Sequence, residues 1–127
     1  MYEIQVEYVT GNSFGSRDEV DTVGCIWRDL DKAKLALSYI KAHHKAVAEK
    51  ERSNGWNSSN IKFDIKKYEK EPWFFSEDRG AYWASAVVLP LDDGSSMRVC
   101  AFWEGYFEKL RGAKIICSTD TDMEFST

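Results

Sequence analysis

The sequence has little proline, little histidine and no long apolar run. Of its 127 residues, two are proline, two are histidine and 30% are charged. No stretch approaches the roughly 20 consecutive apolar residues that a membrane-spanning helix requires. Residues 1–5 also lack the basic start and apolar stretch of a secretory signal. We therefore expect a soluble protein of the cytoplasm with no membrane partner.

Cysteine is scarce and is not arranged for metal or redox chemistry. Cys25, Cys100 and Cys117 are far apart, and no two are spaced as Cys-x-x-Cys, which leaves zinc and thioredoxin-like sites without support. Each cysteine lies in an apolar stretch, which predicts three reduced thiols in the core. We expect neither a metal ion nor a cofactor.

The residue patterns of common catalytic sites are also missing. His43 and His44 are the two histidines, and neighbours on a helix point about 100° apart. His44 falls on the apolar stripe of the predicted helix, so we expect it in the core or in an interface. The sequence has no Gly-x-Ser-x-Gly, His-Glu-x-x-His or phosphate-binding Gly-x-x-x-x-Gly-Lys motif. An enzyme is therefore the less favoured class, and we predict no catalytic residue.

Positive charge is not in excess. The formal net charge is −4, which argues against a protein that binds DNA through a broad basic face. Basic side chains concentrate in residues 32–70, where ten Lys or Arg stand against four Asp or Glu. Such a segment is typical of a solvated helix face, and it also suits an anionic ligand or an acidic neighbouring subunit.

The periodicity of the sequence indicates an α+β fold, with an antiparallel sheet of about five to six strands and one long amphipathic helix at about 29–52. Asp29 is a good N-cap, and apolar residues recur at steps of three and four as far as Val47. Asp93-Gly94 predicts a hairpin turn, and 76–80 is predicted as a loop. We expect one domain, 1–127, with a polar tail at about 118–127. The predicted strands lie at 2–9, 18–27, 61–68, 81–91, 95–103 and 113–117.

Aromatic and arginine side chains offer the clearest binding chemistry. The chain has five Trp, six Tyr and seven Phe, and a ring can stack on a base for about 1–3 kcal/mol. Arginine can hold phosphate oxygens in a bidentate manner, and an aspartate can accept hydrogen bonds from ribose hydroxyls. The candidate ligand-binding residues are Phe75, Arg79, Trp83, Asp92, Arg98 and Arg111, with Asp93 as an alternative acceptor and Arg28 as a further candidate for phosphate contact. The simpler interpretation is that most of these rings lie in the core and that Arg98 and Arg111 pair with Glu104 or Glu108.

Several segments taken together resemble one known family. Tyr-Glu-Ile and Tyr-Val-Thr-Gly-Asn-Ser-Phe-Gly fall within 2–15, and Trp-x-x-Leu-Asp-x-Ala-Lys lies at 27–34. Leu-x-Leu-Asp-Asp-Gly follows at 89–94, and Phe-Trp-x-Gly-Tyr-Phe-Glu-x-Leu-x-x-Ala-Lys-Ile at 102–115. This pattern spans nearly the whole chain and resembles the phage Thoeris anti-defence family of the first-described type.

The resemblance implies a protein of the infected bacterial cytoplasm that is not an enzyme. Members of that family act as sponges, because they bind and sequester the cyclic ADP-ribose isomers that the Thoeris system makes as an alarm signal. Sequestration starves the downstream effector, an NAD-degrading enzyme. The resemblance also implies a homo-oligomer, dimer or hexamer, with pockets between subunits, and some members are said to hold cyclic oligonucleotides as well.

Two other functions stay open. A phage protein-interaction module that inhibits a host enzyme by direct contact would show an exposed aromatic patch and no enclosed pocket. A nucleotide-processing enzyme would use Asp92, Asp93 or Glu104 as its acid or base.

Overall fold

The described part of the chain forms one long helix and six strands. The structure is a computed structural model and describes residues 1–12, 14–54, 68, 70–78, 83–103 and 109–117. In chain order the elements are β1 (Tyr2–Asn12), β2 (Gly15–Thr22), α1 (Leu30–Asn54), β3 (Phe74–Asp78), β4 (Trp83–Pro90), β5 (Ser96–Cys100) and β6 (Lys109–Cys117).

The first sheet has the strand order β2-β1-β6, and both neighbouring pairs are antiparallel. β1 and β2 form a long hairpin that stays in register over residues 5–22. Alternate residues of β1 face the core, so Ile4 and Val6 are fully buried.

The second sheet has the order β3-β4-β5 and is also antiparallel. Residues 91–95 form the turn between β4 and β5. The Gly94 N–H donates to the Leu91 carbonyl at 3.2 Å, and the Leu91 N–H donates to the Ser95 carbonyl at 2.8 Å. Gly94 has a φ of 86°, a conformation that glycine adopts without a Cβ clash. The hairpin predicted from Asp93-Gly94 is confirmed.

Helix α1 packs against both sheets, with contacts to β4, β6 and β1. Its first turn is capped by Asp29, whose carboxylate accepts the Asp31 N–H at 2.9 Å. The helix buries a stripe at steps of three and four, formed by Ala33, Ala36, Ile40, His43 and Val47. Because two of these side chains are only methyl groups, the helix backbone can approach the strands closely.

The buried histidine is His43, not His44. The sequence predicts His44 in the core or in an interface; within this chain His43 is fully buried and His44 is half-buried. The His43 ring meets the Trp73 ring edge-on, with centroids 6.3 Å apart. Two apolar stripes that share Ala33, Ile40 and Val47 fit the sequence, and the one that contains His43 packs against Trp73.

The predicted α+β class with one long helix is confirmed. The six strands lie in two three-stranded sheets, where the sequence indicated one sheet, and Trp27 connects them. Its backbone pairs with Tyr2 of β1 through hydrogen bonds of 2.6 and 2.8 Å. Its indole N–H donates to the Pro90 carbonyl at the end of β4.

One predicted strand and one predicted loop need correction. The second strand, predicted at 18–27, runs over Gly15–Thr22 because pairing with β1 continues to the tip of the hairpin. The loop predicted at 76–80 begins within β3, because pairing with β4 outweighs the polar composition of its last residues. The strand predicted at 61–68 lies outside the described residues except for Tyr68, which is helical. The tail at 118–127 lies outside them too.

The cysteines do not all lie in the core. All three are free thiols, but only Cys25 is buried, while Cys100 and Cys117 are exposed. The prediction of three core thiols is wrong for these two because each ends a strand at the edge of its sheet. No helix in the described ranges is long and apolar enough to cross a membrane.

Candidate functional site

One groove lined by described residues has a volume of about 440 Å³. It lies between the β4–β5 turn and the segment that follows β2, and we call it the turn groove. Its lining residues are Gly24, Cys25, Ile26, Leu91, Asp92, Asp93 and Met97. The volume falls within the roughly 300–1,000 Å³ of small-molecule pockets, and the lining combines an apolar floor with a rim of two carboxylates.

Asp92 is fixed by the segment that leads into helix α1. One carboxylate oxygen accepts the Arg28 backbone N–H at 2.7 Å, and the other accepts the Asp29 N–H at 3.3 Å. Beside them, the Trp27 indole N–H donates to the Pro90 carbonyl at 2.8 Å. Together these bonds hold the turn against the N-terminal end of the helix, where the helix dipole favours a negative charge.

Asp93 is held by its own turn. Its Oδ1 accepts hydrogen bonds from the Ser95 hydroxyl and from the Ser95 backbone N–H, the latter at 2.9 Å. These bonds lower the pKa of the Asp93 carboxyl because they stabilise its charged form, and the bond from the Ser95 hydroxyl has the larger effect. Both bonds from Ser95 go to Oδ1, and the Asp93 backbone N–H also stabilises the charged carboxyl group. An ionised carboxylate of fixed orientation therefore presents an acceptor at the rim.

The floor of the turn groove is apolar and carries two sulfur atoms. The Cys25 thiol donates to the Met97 Sδ, and the two sulfurs lie 3.6 Å apart. Burial raises the pKa of the Cys25 thiol, so the group is neutral at physiological pH. Ile26 and Met97 are 55% and 46% exposed, so the apolar surface of the floor is accessible to a ligand.

Arg28 and Arg98 differ in their relation to this groove. Arg28 flanks it, because its own N–H binds the rim residue Asp92. Arg98 follows Met97 directly on β5, and successive side chains of a strand point to opposite faces. Both arginines are exposed, but Arg98 does not line the groove.

Arg111 lies on the other sheet, at a β-bulge. Its two neighbours in β6 pair with consecutive residues of β1, so Arg111 is the extra residue. Its Nε lies 3.5 Å from Oδ1 of Asp18 on β2, so the pair reaches across β1. The sequence suggested Glu104 or Glu108 as its partner; both lie outside the described residues, and the structure supplies Asp18.

The other predicted ligand contacts fall where little is described. Arg79 lies outside the described residues, as do the side chains of Phe75 and Trp83. The backbone register pairs Phe75 with Ala86 and places Trp83 at the start of β4. Phe75, Trp83 and Asp92 are therefore all supplied by the second sheet or its turn, and ligand contact by the first two stays a prediction.

Trp73 and its aromatic neighbours belong to the core. The rings of Tyr68, Trp73, Phe74 and His43 form contacts with centroid distances between 5.6 and 6.3 Å. A smaller recess of about 240 Å³ beside Trp73 also contacts Lys45 of the helix. Most of the Trp73 surface is buried, which favours a structural role for this ring.

Sequence reasoning identified the rim of the turn groove but not its floor. Asp92 and Asp93 were candidates, whereas Cys25, Ile26 and Met97 were not. The floor residues come from two segments far apart in the chain, and neither segment carries a local motif. Their proximity depends on the hydrogen bonds from residues 27–29 to the β4–β5 turn. No pattern in the sequence predicts these bonds.

The described residues hold no group of three or more His, Cys, Asp or Glu arranged to bind a metal ion. Comparison of the chain with protein-family models, curated proteins and solved structures finds no match.

Proposed function

We propose that this protein is a phage anti-defence sponge that binds and sequesters a cyclic ADP-ribose-type signalling nucleotide without cleaving it. Sequestration would prevent activation of the bacterial Thoeris effector. The sequence resemblance supplies the class of ligand. The observation that carries the proposal is the turn groove, whose rim holds two carboxylates fixed by backbone N–H groups.

The chemistry of the groove suits a small nucleotide. Its volume of about 440 Å³ accommodates a nucleoside-sized group, and its floor offers polarisable sulfur to a ring or sugar face. The rim carboxylates accept hydrogen bonds from ribose hydroxyls. Arg28 stands at the edge of the groove and can meet phosphate oxygens outside it, while Arg98, Arg111 and Arg79 stay further candidates for that contact.

The same chemistry favours capture over turnover. The described lining contains two carboxylates, a neutral buried thiol and apolar groups. The pKa of Asp93 is lowered, and a carboxylate with a low pKa is a weak general base. A sponge needs slow release of an intact ligand, which this lining can provide.

The proposal includes a homo-oligomer in the cytoplasm of the infected host. Exposed apolar side chains at Phe14, Ile26 and Met97 offer surface that a second copy can cover. Sedimentation of the purified chain tests this part alone. A dimer or hexamer supports it, and a clean monomer contradicts it.

Capture and release test the central claim. The protein is mixed with a cyclic ADP-ribose isomer, separated from free ligand, and heated. We expect depletion of the isomer from solution and recovery of the intact molecule after heating. No depletion, or recovery of a degraded nucleotide, contradicts the proposal.

A second candidate function is inhibition of a host enzyme by direct contact. It is favoured by Phe14 near the tip of the β1–β2 hairpin, which is 96% exposed. The two functions differ in their response to excess ligand. If the effector is assayed with a fixed amount of this protein and rising concentrations of cyclic nucleotide, excess ligand overcomes a sponge but leaves a contact inhibitor effective.

A further inference from the structure

We infer that the turn groove takes the ribose end of its ligand, with Asp93 Oδ2 accepting the sugar hydroxyls, while the phosphates stay outside the groove. This inference rests on the proposed function and specifies which part of the nucleotide the groove recognises. It defines the ligand class as nucleotides that keep a free cis-diol on at least one ribose.

Charge decides which end of a nucleotide can enter. Both rim residues of the turn groove, Asp92 and Asp93, are carboxylates, and the described lining contains no lysine, arginine or histidine. A phosphate placed between them would meet two like charges without a cation inside the groove. A sugar is neutral and carries hydroxyl donors, so it meets the same rim favourably.

Geometry identifies Asp93 as the main acceptor. Both oxygens of Asp92 already accept backbone N–H groups, at 2.7 and 3.3 Å. In Asp93 both bonds converge on Oδ1. They hold the carboxylate through one oxygen, so Oδ2 is the oxygen that Ser95 does not engage. Hydrogen bonds from hydroxyls to an ionised carboxylate are among the stronger neutral-to-charged contacts.

The floor complements a sugar and the ring attached to it. The Cys25–Met97 sulfur contact lies beneath the rim, and thioether sulfur packs well against ring edges. Gly24 adopts a φ of 86° and has no atom within 4 Å of the position that a Cβ would take. The groove is therefore open beside Gly24, and a ligand can extend out of it there.

The experiment compares two ligands on matched variants of the full-length protein. The ligands are a cyclic ADP-ribose isomer and the same isomer after periodate treatment, which cleaves free cis-diols and leaves the pyrophosphate. The variants are Asp93→Asn and, as a charge-matched control on the first sheet, Asp21→Asn. An asparagine directly before Gly94 suits the turn, and thermal unfolding verifies that each variant folds.

We expect Asp93→Asn to weaken capture of the intact isomer about tenfold, and periodate treatment to weaken wild-type capture by a similar factor. The two losses should not add, because both remove the same hydrogen bonds. Asp21→Asn should bind as the wild type does. Ser95→Ala, which keeps the charge but loosens the Asp93 carboxylate, should cause a smaller loss of about threefold.

The outcomes separate the inference from the proposed function. Wild-type capture that neither Asp93→Asn nor periodate treatment weakens overturns the inference and leaves sequestration standing. Additive losses also overturn it, because the diol and Asp93 would then act at different places. If the wild type captures neither ligand, the proposed function fails, and the inference fails with it.

Discussion

The indole N–H of Trp27 donates a 2.8 Å hydrogen bond to the carbonyl oxygen of Pro90, at the end of β4. Trp27 also pairs with Tyr2 of β1 through its backbone, so one fully buried residue joins the two sheets. The same contacts of Trp27 place the β4–β5 turn beside the N-terminus of helix α1. The shape of the turn groove therefore depends on a core residue that does not line it.

Replacing Trp27 with Phe should measure this connection. Phenylalanine keeps most of the apolar surface but leaves the Pro90 carbonyl without its indole donor, so we expect a loss of about 1–3 kcal/mol in the free energy of unfolding. Chemical denaturation gives the value. Trp103→Phe is the matched control, because Trp103 is equally buried and no described residue accepts its indole N–H. Equal losses in the two variants would show that volume, not the hydrogen bond, accounts for the effect.

Asp92 should contribute to stability even though its side chain is exposed. Asp92→Ala removes both hydrogen bonds to the N–H groups of Arg28 and Asp29, and we expect a loss of about 1.5–3 kcal/mol in the free energy of unfolding. Asp21→Ala is the control, since the described hydrogen bond of Asp21 is to the adjacent Thr22. A change below about 0.5 kcal/mol for Asp92→Ala, the range of ordinary surface substitutions, would contradict the structural role of this contact.

The two adjacent histidines should respond differently to truncation. His43→Ala empties a fully buried position against Trp73, and we expect a loss of about 2–4 kcal/mol in the free energy of unfolding. His44→Ala changes a half-buried position and should cost less than about 1 kcal/mol. Urea denaturation of both variants measures the difference. A larger loss for His44→Ala would contradict the burial of His43 and favour the helix stripe that the sequence predicts, which contains His44.

Local patterns predicted the elements that are stabilised locally. The N-cap at Asp29 and the turn at Gly94 depend on residues within a few positions, and both are confirmed. The strand β3 was missed because its alternation is weak and its hydrogen bonds come from β4. The division into two sheets was missed for the same kind of reason, since it depends on contacts such as that between Trp27 and Pro90.

The candidate site was predictable only in part. Asp92 was identified from its residue type and its place in a turn, but its hydrogen bonds to Arg28 and Asp29 follow from tertiary packing. In the sequence Met97 looks like an ordinary strand residue. Its contact with Cys25 forms only when the whole β4–β5 hairpin packs beside the segment that follows β2. A site formed by segments far apart in the chain leaves no single motif in the sequence.

The three thiols should differ in reactivity with an alkylating reagent. Cys25 is buried and its pKa is raised by that burial, whereas Cys100 and Cys117 are exposed. Because the thiolate is the reactive form, we expect Cys25 to react roughly tenfold more slowly than the other two near pH 8. Mass spectrometry of the native protein follows each site, and Cys25→Ser identifies the slow phase. Three equal rates in the folded protein would contradict the burial of Cys25.

The last prediction concerns pH and the carboxyl group of Asp93. Its pKa lies below the ordinary value of 3.8 because the Ser95 hydroxyl and N–H stabilise the charged form. At pH values near 3.8 the unfolded state therefore binds more protons than the folded state, so this contribution to stability rises with pH. It is fully present above the ordinary pKa and is lost as the pH falls through the lowered value of the folded state.

Ser95→Ala should reduce this contribution. We expect the Asp93 pKa to rise toward its ordinary value, and the difference in stability between wild type and variant to shrink as the pH falls from neutral to below 3.8. NMR titration of the Asp93 side-chain carbon measures the pKa directly, and urea unfolding at several pH values measures the stability. Ser96→Ala is the control, because Ser96 is the exposed neighbour that makes no described bond to Asp93. An unchanged titration in Ser95→Ala would mean that the Ser95 hydroxyl does not stabilise the charged carboxylate and that only the backbone N–H holds it.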